Sequence, residues 1–561
     1  TRAFTAARLL TTNTASGIAT VEVSHEAVIR EWTRLTGWLD EAREDVHLQR
    51  AISEDVAAWE QSGRSRDRLY RGSQLKEARA WVKRNIPSAN EVAFLHTSVV
   101  SRVRFFVSMI ALLLILVSSM GGAIWVLTHQ PPDPTFVSNL LDNDKPGSLR
   151  HAIDAAASRS TIMISASLHG TILLTVGDLN IAKDLSIRGP GEGILSISSG
   201  TSAHSIRVVQ GVTVTIFGLT FKDSKNSTSA TGFIDNQGTL ILNNSTISGN
   251  TASSSGGTIN QGISGGGGGI SNEGTLTLNN STISGNSAFG GGGIFNSGTL
   301  TLNNSTVSAN TASTGGGIFN GGTLTLNNST ISANTASDGG GFYIVGSSGV
   351  ISTTTTNTTI INNSTISDNN ASDMGGGILF ESSIGSNNLS SLIQANLTFS
   401  TIYDNTAQSG GDIAIRDANC SSNDTNCKLS KQVSQVKIRN SIVAGDPTHL
   451  DSDIVGMLTS YGYNLFQDNS GATFDPASRK QHGTDKIVSV NDLTRLFADP
   501  SGLQDNGGPT RTYALAPGSP AFDQIPLADC LVNGITTDQR GVKRPDGNET
   551  TCDIGAFESS S

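Results

Sequence analysis

TLTLNNSTISGNSAFGGGGIFNSG (275–298), TLTLNNSTVSANTASTGGGIFNGG (299–322) and TLTLNNSTISAN (323–334) follow one another without interruption. The phrase begins at Thr275, Thr299 and Thr323, a strict spacing of 24. A flanking copy starts at Thr239, 36 residues earlier, and another ends in INNSTISDN around Asn363, 35 later. A unit of this size cannot bury its own apolar face and must stack on copies of itself, so the period predicts a solenoid. TLTL and STIS alternate with period two, which turns Leu and Ile inward from short strands. The glycine runs then supply corners, where positive φ is needed.

The expected fold class is mainly β, a right-handed single-stranded parallel β-helix over residues 128–445. Strands at ~4.8 Å spacing set equivalent residues above one another. Asn280, Asn304 and Asn328 would form one column and Asn286, Asn310 and Asn334 a second, with amides bonded up each column. The gaps of 35 and 36 imply loops inserted on single coils. Residues 148–156 suit a capping helix at one end, and residues 446–561 a C-terminal cap at the other, because open solenoid ends would pair with other molecules.

The pairing of GGGIFN with STISGN resembles the repeats of chlamydial polymorphic outer-membrane proteins and related pectin-lyase-like β-helices. GSLRHAIDAA (147–156) resembles the N-terminal part of that family, although His151 replaces a usual acidic residue. NSIVAG, DNGGPTRTYALAPGSPAFD, TDQRGVKRP and CDIGAFE resemble the bacterial C-terminal module called choice-of-anchor Q. Together these resemblances cover about residues 136–558. They imply a bacterial surface protein.

Upstream, FFVSMIALLLILVSSMGGAIWVL (105–127) holds no charge. About 20 such residues span a bilayer core, which predicts a single-pass transmembrane helix. Lys83, Arg84, Arg102 and Arg104 precede it, and no Lys or Arg follows until Lys145. The positive-inside bias puts residues 1–104 in the cytoplasm and the β-helix outside the cell membrane. Charge divides likewise: residues 1–104 carry 16 Lys/Arg and 13 Asp/Glu, the remainder 21 and 34. An acidic body of this kind has no electrostatic reason to bind nucleic acid. Cys420, Cys427, Cys530 and Cys552 all follow the span, which suits disulfides, with Cys420–Cys427 and Cys530–Cys552 paired by proximity. No C-x-x-C pair or histidine cluster favours metal instead.

The first 104 residues read as a β-hairpin within 9–25, a helix from His25, a second helix over 46–61 and a third over 73–84. VEVSHEAVIREWTRLTGWLDEAR, then WEQSGRSRDRLYRGSQLKEARAWV, resembles the winged-helix and helical region that follows the ATPase core of bacterial STAND-type signalling NTPases. The chain contains no G-x-x-x-x-G-K-[ST], so the phosphate cradle is missing from it and is expected upstream in a longer product. The resemblance implies a nucleotide-sensing role for His25, set against a plain helix-start histidine.

Chemistry is sparsely signalled. Between Thr239 and Asn334 the coils hold Glu273 and no Lys or Arg. No catalytic constellation and no cofactor is indicated within the chain. Asp142-x-Asp144 and Asp451-x-Asp453 are weak carboxylate pairs, for calcium or merely for loop capping. Arg511, Asp538, Arg540 and Arg544 suggest a buried ion network that holds the C-terminal module together. The expected function is adhesion or ligand recognition outside the membrane, with a glycan, cell-wall or protein ligand, coupled to a STAND-type ATPase. The alternative is a β-helix lyase or glycosidase, which a cluster of Asp/Glu with Arg/Lys on one exposed solenoid face would favour.

Overall fold

The computed structural model describes residues 10–15, 18–23, 33–101, 135–201, 205–226, 232–252, 258–259, 263–264, 266–346, 357–382, 393–417, 434–445, 452–475, 483–547 and 549–559. It divides into two compact units, Thr1–Pro131 and Pro132–Ser561. The segment 105–127 and His25 lie outside the described residues. Among those described, no helix is long and apolar enough to cross a membrane.

In the first unit, strands Leu10–Ala15 and Ile18–Val23 form an antiparallel hairpin. Helix α1 (Thr33–Gln61) spans in one piece what the sequence divides into two helices. Nothing between Leu39 and Val46 breaks it, since DEARED offers neither Gly nor Pro and Ala, Arg and Glu propagate a helix well. It stops at Gly63 and Arg64, both with positive φ. Helix α2 (Gly72–Val82) and helical backbone over 89–101 complete the unit. Ile52, Val56, Trp59, Leu75, Trp81 and Phe94 form its core, so the apolar stripes of these helices face one another.

The second unit is a parallel β-helix. Each coil carries three strands, exemplified by Thr275–Asn279, Thr282–Ser284 and Ile294–Asn296. We call them the TLTLN, TIS and IFN faces. The TIS face is a 12-stranded sheet; the other two faces merge into 22 strands through Ile454–Ser460, which pairs with both. Register follows the repeat: Leu276 pairs with Leu300 and Leu300 with Leu324. The longer coils keep it too, with Thr239 opposite Thr275 and Thr330 opposite Thr365. Leu276, Leu278, Ile283 and Ile294 are fully buried in one continuous core. Helix α3 (Leu149–Ala155), capped by the Ser148 side chain, packs Leu149, Ala152 and Ile153 onto the first coil.

Polar columns run beside that core. Asn250, Asn286, Asn310, Asn334, Asn369 and Asn405 are buried, and each passes its Nδ2–H to the Oδ1 of the next at 2.8–2.9 Å. Buried amides demand such partners. The third glycine of each corner leaves room for them: a Cβ on Gly293 or Gly317 would stand 3.2 or 3.1 Å from the Nδ2 of Asn310 or Asn334. Asn280, Asn304 and Asn328 behave otherwise than expected. They hold left-handed corners with φ of 48–51°, which asparagine tolerates better than most residues. The amide ladder on that face falls one residue earlier, through Asn243, Asn279, Asn303, Asn327 and Asn362. A third ladder, Asn236–Asn272–Asn296–Asn320, lies on the IFN face.

The coils do not end at 445. Ile442 pairs with Leu465 and Leu465 with Lys486 on the TIS face, because NSIVAG and YGYNLF keep the inward apolar pattern. The module beyond them lies along the flank of the TIS face, where a cap on the last coil alone was expected. Thr510 and the Arg511 carbonyl bond to Asn328 and Thr330, Gln539 to Thr330 and Thr365, and Tyr513 to Asp368. Its core includes Phe497, Tyr513 and Phe557, packed in one cluster with Phe399 and Tyr403 of the solenoid. A disulfide joins Cys530 to Cys552; Cys420 and Cys427 lie outside the described residues.

Candidate functional site

On the IFN face, Phe295, Phe319 and Tyr343 occupy one register position on successive coils. Their rings stack at centroid distances of 4.7 and 5.3 Å. The stack ends in a polar group. Tyr343 Oη donates to Glu381 Oε2, and Arg416 meets the same carboxylate with Nε at 3.1 Å and Nη2 at 2.7 Å. Register brings the last two together, since Glu381 and Arg416 are partners on adjacent strands Ile378–Ser382 and Ile413–Asp417. Opposite charges directly across a strand pair attract, and the forked guanidinium suits a carboxylate. About a third of the Arg416 side chain stays exposed.

Asp338, at the corner before the Tyr343 strand, adds a second carboxyl whose Oδ1 is buried without a hydrogen-bond partner. Burial raises its pKa above the ordinary value; Arg416 opposes the shift, while Asp373 and Glu381 add to it. Burial and then Glu381 likewise push the Tyr343 hydroxyl up, and Glu381 holds Arg416 more firmly protonated. A half-buried carboxyl with a raised pKa, beside a carboxylate–guanidinium pair, adds hydrogen-bonding groups to the cluster. The sequence contained the signal. Aligning GGGFYIV, GGGILFES and GGDIAIRD, with Asp412 in the place of the third glycine, sets Glu381 against Arg416.

The other marked residues are structural. Asp142 pairs with Arg150 at 2.7 Å and accepts the N–H groups of Thr175 and Val176, while Asp144 is exposed. Asp453 is buried, and Asp451 lies outside the described residues. Among the described residues no group of three or more His, Cys, Asp or Glu is placed to hold a metal ion. In the flank module Arg544 pairs with Glu558 at 2.6 Å, both essentially buried. Arg540 pairs with Asp538 at 2.7 Å and stacks on Phe557. Arg511 stands outside this network, with an exposed side chain and a carbonyl that accepts from Thr330.

Residues 1–67 match the family described as Novel STAND NTPase 1. No curated protein matches the chain. Two solved structures are similar to it: a PL6 alginate lyase in complex with a trisaccharide, and the A-module of the mannuronan C-5 epimerase AlgE6 of Azotobacter vinelandii. Each is 12% identical with a TM-score of 0.26; they cover 68% and 63% of this chain and 92% of their own. At that similarity neither decides anything about this chain, whose coil is defined by its own strand register.

Proposed function

We propose that this chain is the ligand-recognition arm of a STAND-type signalling protein: an extracytoplasmic right-handed β-helix anchored through 105–127 and coupled to a STAND-type ATPase. What supports the reading is the presence in one chain of a STAND-like segment and a long solenoid that carries a half-buried Tyr343–Glu381–Arg416 cluster on its flank. Charged hydrogen-bonding groups of this kind suit a polyhydroxylated ligand, such as a glycan of the cell wall. The polymorphic-outer-membrane and choice-of-anchor Q resemblances belong to the same proposal, as do a bacterial membrane location and a nucleotide-sensing His25.

A second reading has its own observation. Asp338 and Asp373, on the corner strands Thr335–Asp338 and Asn370–Met374, bring carboxyls within electrostatic reach of the Glu381–Arg416 pair on the IFN face, which favours a carbohydrate-active enzyme. The two separate when the full chain is offered a polysaccharide panel with and without calcium. Retention without turnover supports recognition; turnover replaces it with the enzyme reading, and neither retention nor turnover removes the glycan ligand.

A further inference from the structure

The buried asparagine column ends on a residue that is not asparagine. Asn405 passes its backbone N–H and its Nδ2–H to Asp412 Oδ1 at 3.3 and 2.8 Å. One coil earlier, Asn369 makes the same two bonds to Asn405 Oδ1 at 3.0 and 2.8 Å. Asp412 grows from an unusual place. Its register partner one coil earlier is Gly377, the third glycine of its corner, and a Cβ there would crowd Asn405 at 3.1 Å. Asp412 itself takes the place of the next rung: in the following coil Gly445 stands at the register position of Asp404, and the Asp412 carboxylate receives the Asn405 amide.

The substitution is imperfect in one atom. In Asn286, Asn310, Asn334, Asn369 and Asn405 the second side-chain atom is a donor, and each Nδ2 also reaches a backbone carbonyl at 2.9–3.1 Å. In Asp412 that atom is Oδ2, which is buried with no hydrogen-bond partner. An ionised carboxylate left this way in a dry interior is costly. A proton on Oδ2 would restore the donor that the column uses at every other rung. The next corner repeats the exchange: Asp453, the register successor of Asp412, presses its Oδ1 toward Gly445 and takes the Asp468 N–H on Oδ2 at 2.8 Å.

We propose that Asp412 is an asparagine surrogate that keeps a proton on Oδ2 in the folded coil, making the junction between the asparagine column and the last coils of the solenoid a proton-dependent latch.

The surrounding charges agree. Asp453 faces Asp412 from the following coil and Asp404 from the end of the Thr401–Tyr403 strand, and Asp468 bears on Asp453; all are carboxylates. Burial, then Asp453, pushes the Asp412 carboxyl well above the ordinary range. Burial first, and Asp468 with it, pushes Asp453 up to about 7. Both pKa values are higher folded than unfolded. The latch's contribution is therefore complete below the ordinary carboxylate range and is lost as pH rises through the raised values of the two carboxyls, of which that of Asp453 is about 7.

The test uses the full chain and its D412N variant, followed by hydrogen exchange of the amides in 454–487 after correction for the intrinsic pH effect. Protection in the native chain is expected to fall by about tenfold or more between about pH 5 and about pH 8, since each unit of linked titration is tenfold. D412N supplies the amide outright, so it should fold and hold its protection nearly constant over that range. Infrared spectroscopy gives a second readout, a protonated-carboxyl component at neutral pH that appears in the difference between the native chain and D412N and persists when both carry D453N. Native-like pH dependence in D412N, a D412N chain that cannot fold, or absence of that component from the difference would each overturn the proposal.

Discussion

Asn286 gives both its backbone N–H and its Nδ2–H to the single Oδ1 of Asn310, each at 2.9 Å. One side-chain atom thus satisfies two donors of the coil before it. The same Asn310 then repeats the gesture to Asn334, through N and Nδ2 at 3.0 and 2.9 Å. The column carries main-chain donors of the corner that the strand ladders do not reach.

Truncating one rung therefore orphans donors on the coil before it. Asn310→Ala is expected to destabilise the chain by about 2–4 kcal/mol, since each buried polar group left unpaired costs about 1–3 kcal/mol. Denaturant unfolding would measure it, with loss of amide protection concentrated at 283–287. A change below about 0.5 kcal/mol would show that the column is dispensable.

The glycine column should be as intolerant as the amides it accommodates. A Cβ at Gly317 would lie 2.7 Å from the Gly341 carbonyl oxygen and 3.1 Å from Asn334 Nδ2. Gly317→Ala is thus expected to cost about 1–3 kcal/mol by overpacking, measured as a lowered unfolding midpoint. Gly177→Ala is a useful contrast, because open space surrounds that position and only its positive φ resists substitution.

In the flank module, Arg544 and Glu558 are buried and paired at 2.6 Å, and the Arg544 guanidinium stands 4.3 Å from the Phe399 ring centroid. Removing one partner leaves an uncompensated buried charge, at about 3–5 kcal/mol. Arg544→Met should loosen the module from the TIS face, seen as protease cleavage within 489–547. The double variant Arg544→Met with Glu558→Leu should cost less than the sum of the single changes.

Asp142 gives a pH dependence of opposite sign to the Asp412 latch. Burial would raise its pKa, but Arg150 and the N–H groups of Thr175 and Val176 outweigh that and hold it below the ordinary value. Its contribution is present above the ordinary carboxylate range and is lost as pH falls through the lowered value. Asp142→Asn should destabilise the α3 end at neutral pH, with a difference from the native chain that shrinks on acidification. Thermal unfolding at a series of pH values would show it.

Much of this was legible because the repeat is nearly exact between Thr275 and Asn334, where identical residues must take identical positions. The column through Asn286, Asn310 and Asn334 could be read from spacing alone. Its neighbour could not. Asn279 and Asn280 are adjacent asparagines, and only the left-handed corner at Asn280 decides which of them carries the ladder. The flank module escaped because its contacts, such as Gln539 with Thr330, join residues 209 apart in the chain, a separation that no local pattern encodes. The Glu381–Arg416 cluster was hidden for another reason: its coils carry long insertions, which obscure the register that brings the two together.

Retention of the polysaccharide panel by the native chain, Glu381→Gln and Arg416→Gln bears most directly on the central claim. Loss of a charged hydrogen-bond partner is worth about 1.5–3 kcal/mol, so each variant should weaken binding of the retained glycan by about tenfold or more while unfolding at a near-native temperature. Undiminished binding in both variants would contradict recognition at this cluster and leave the solenoid's ligand, if it has one, elsewhere on its surface.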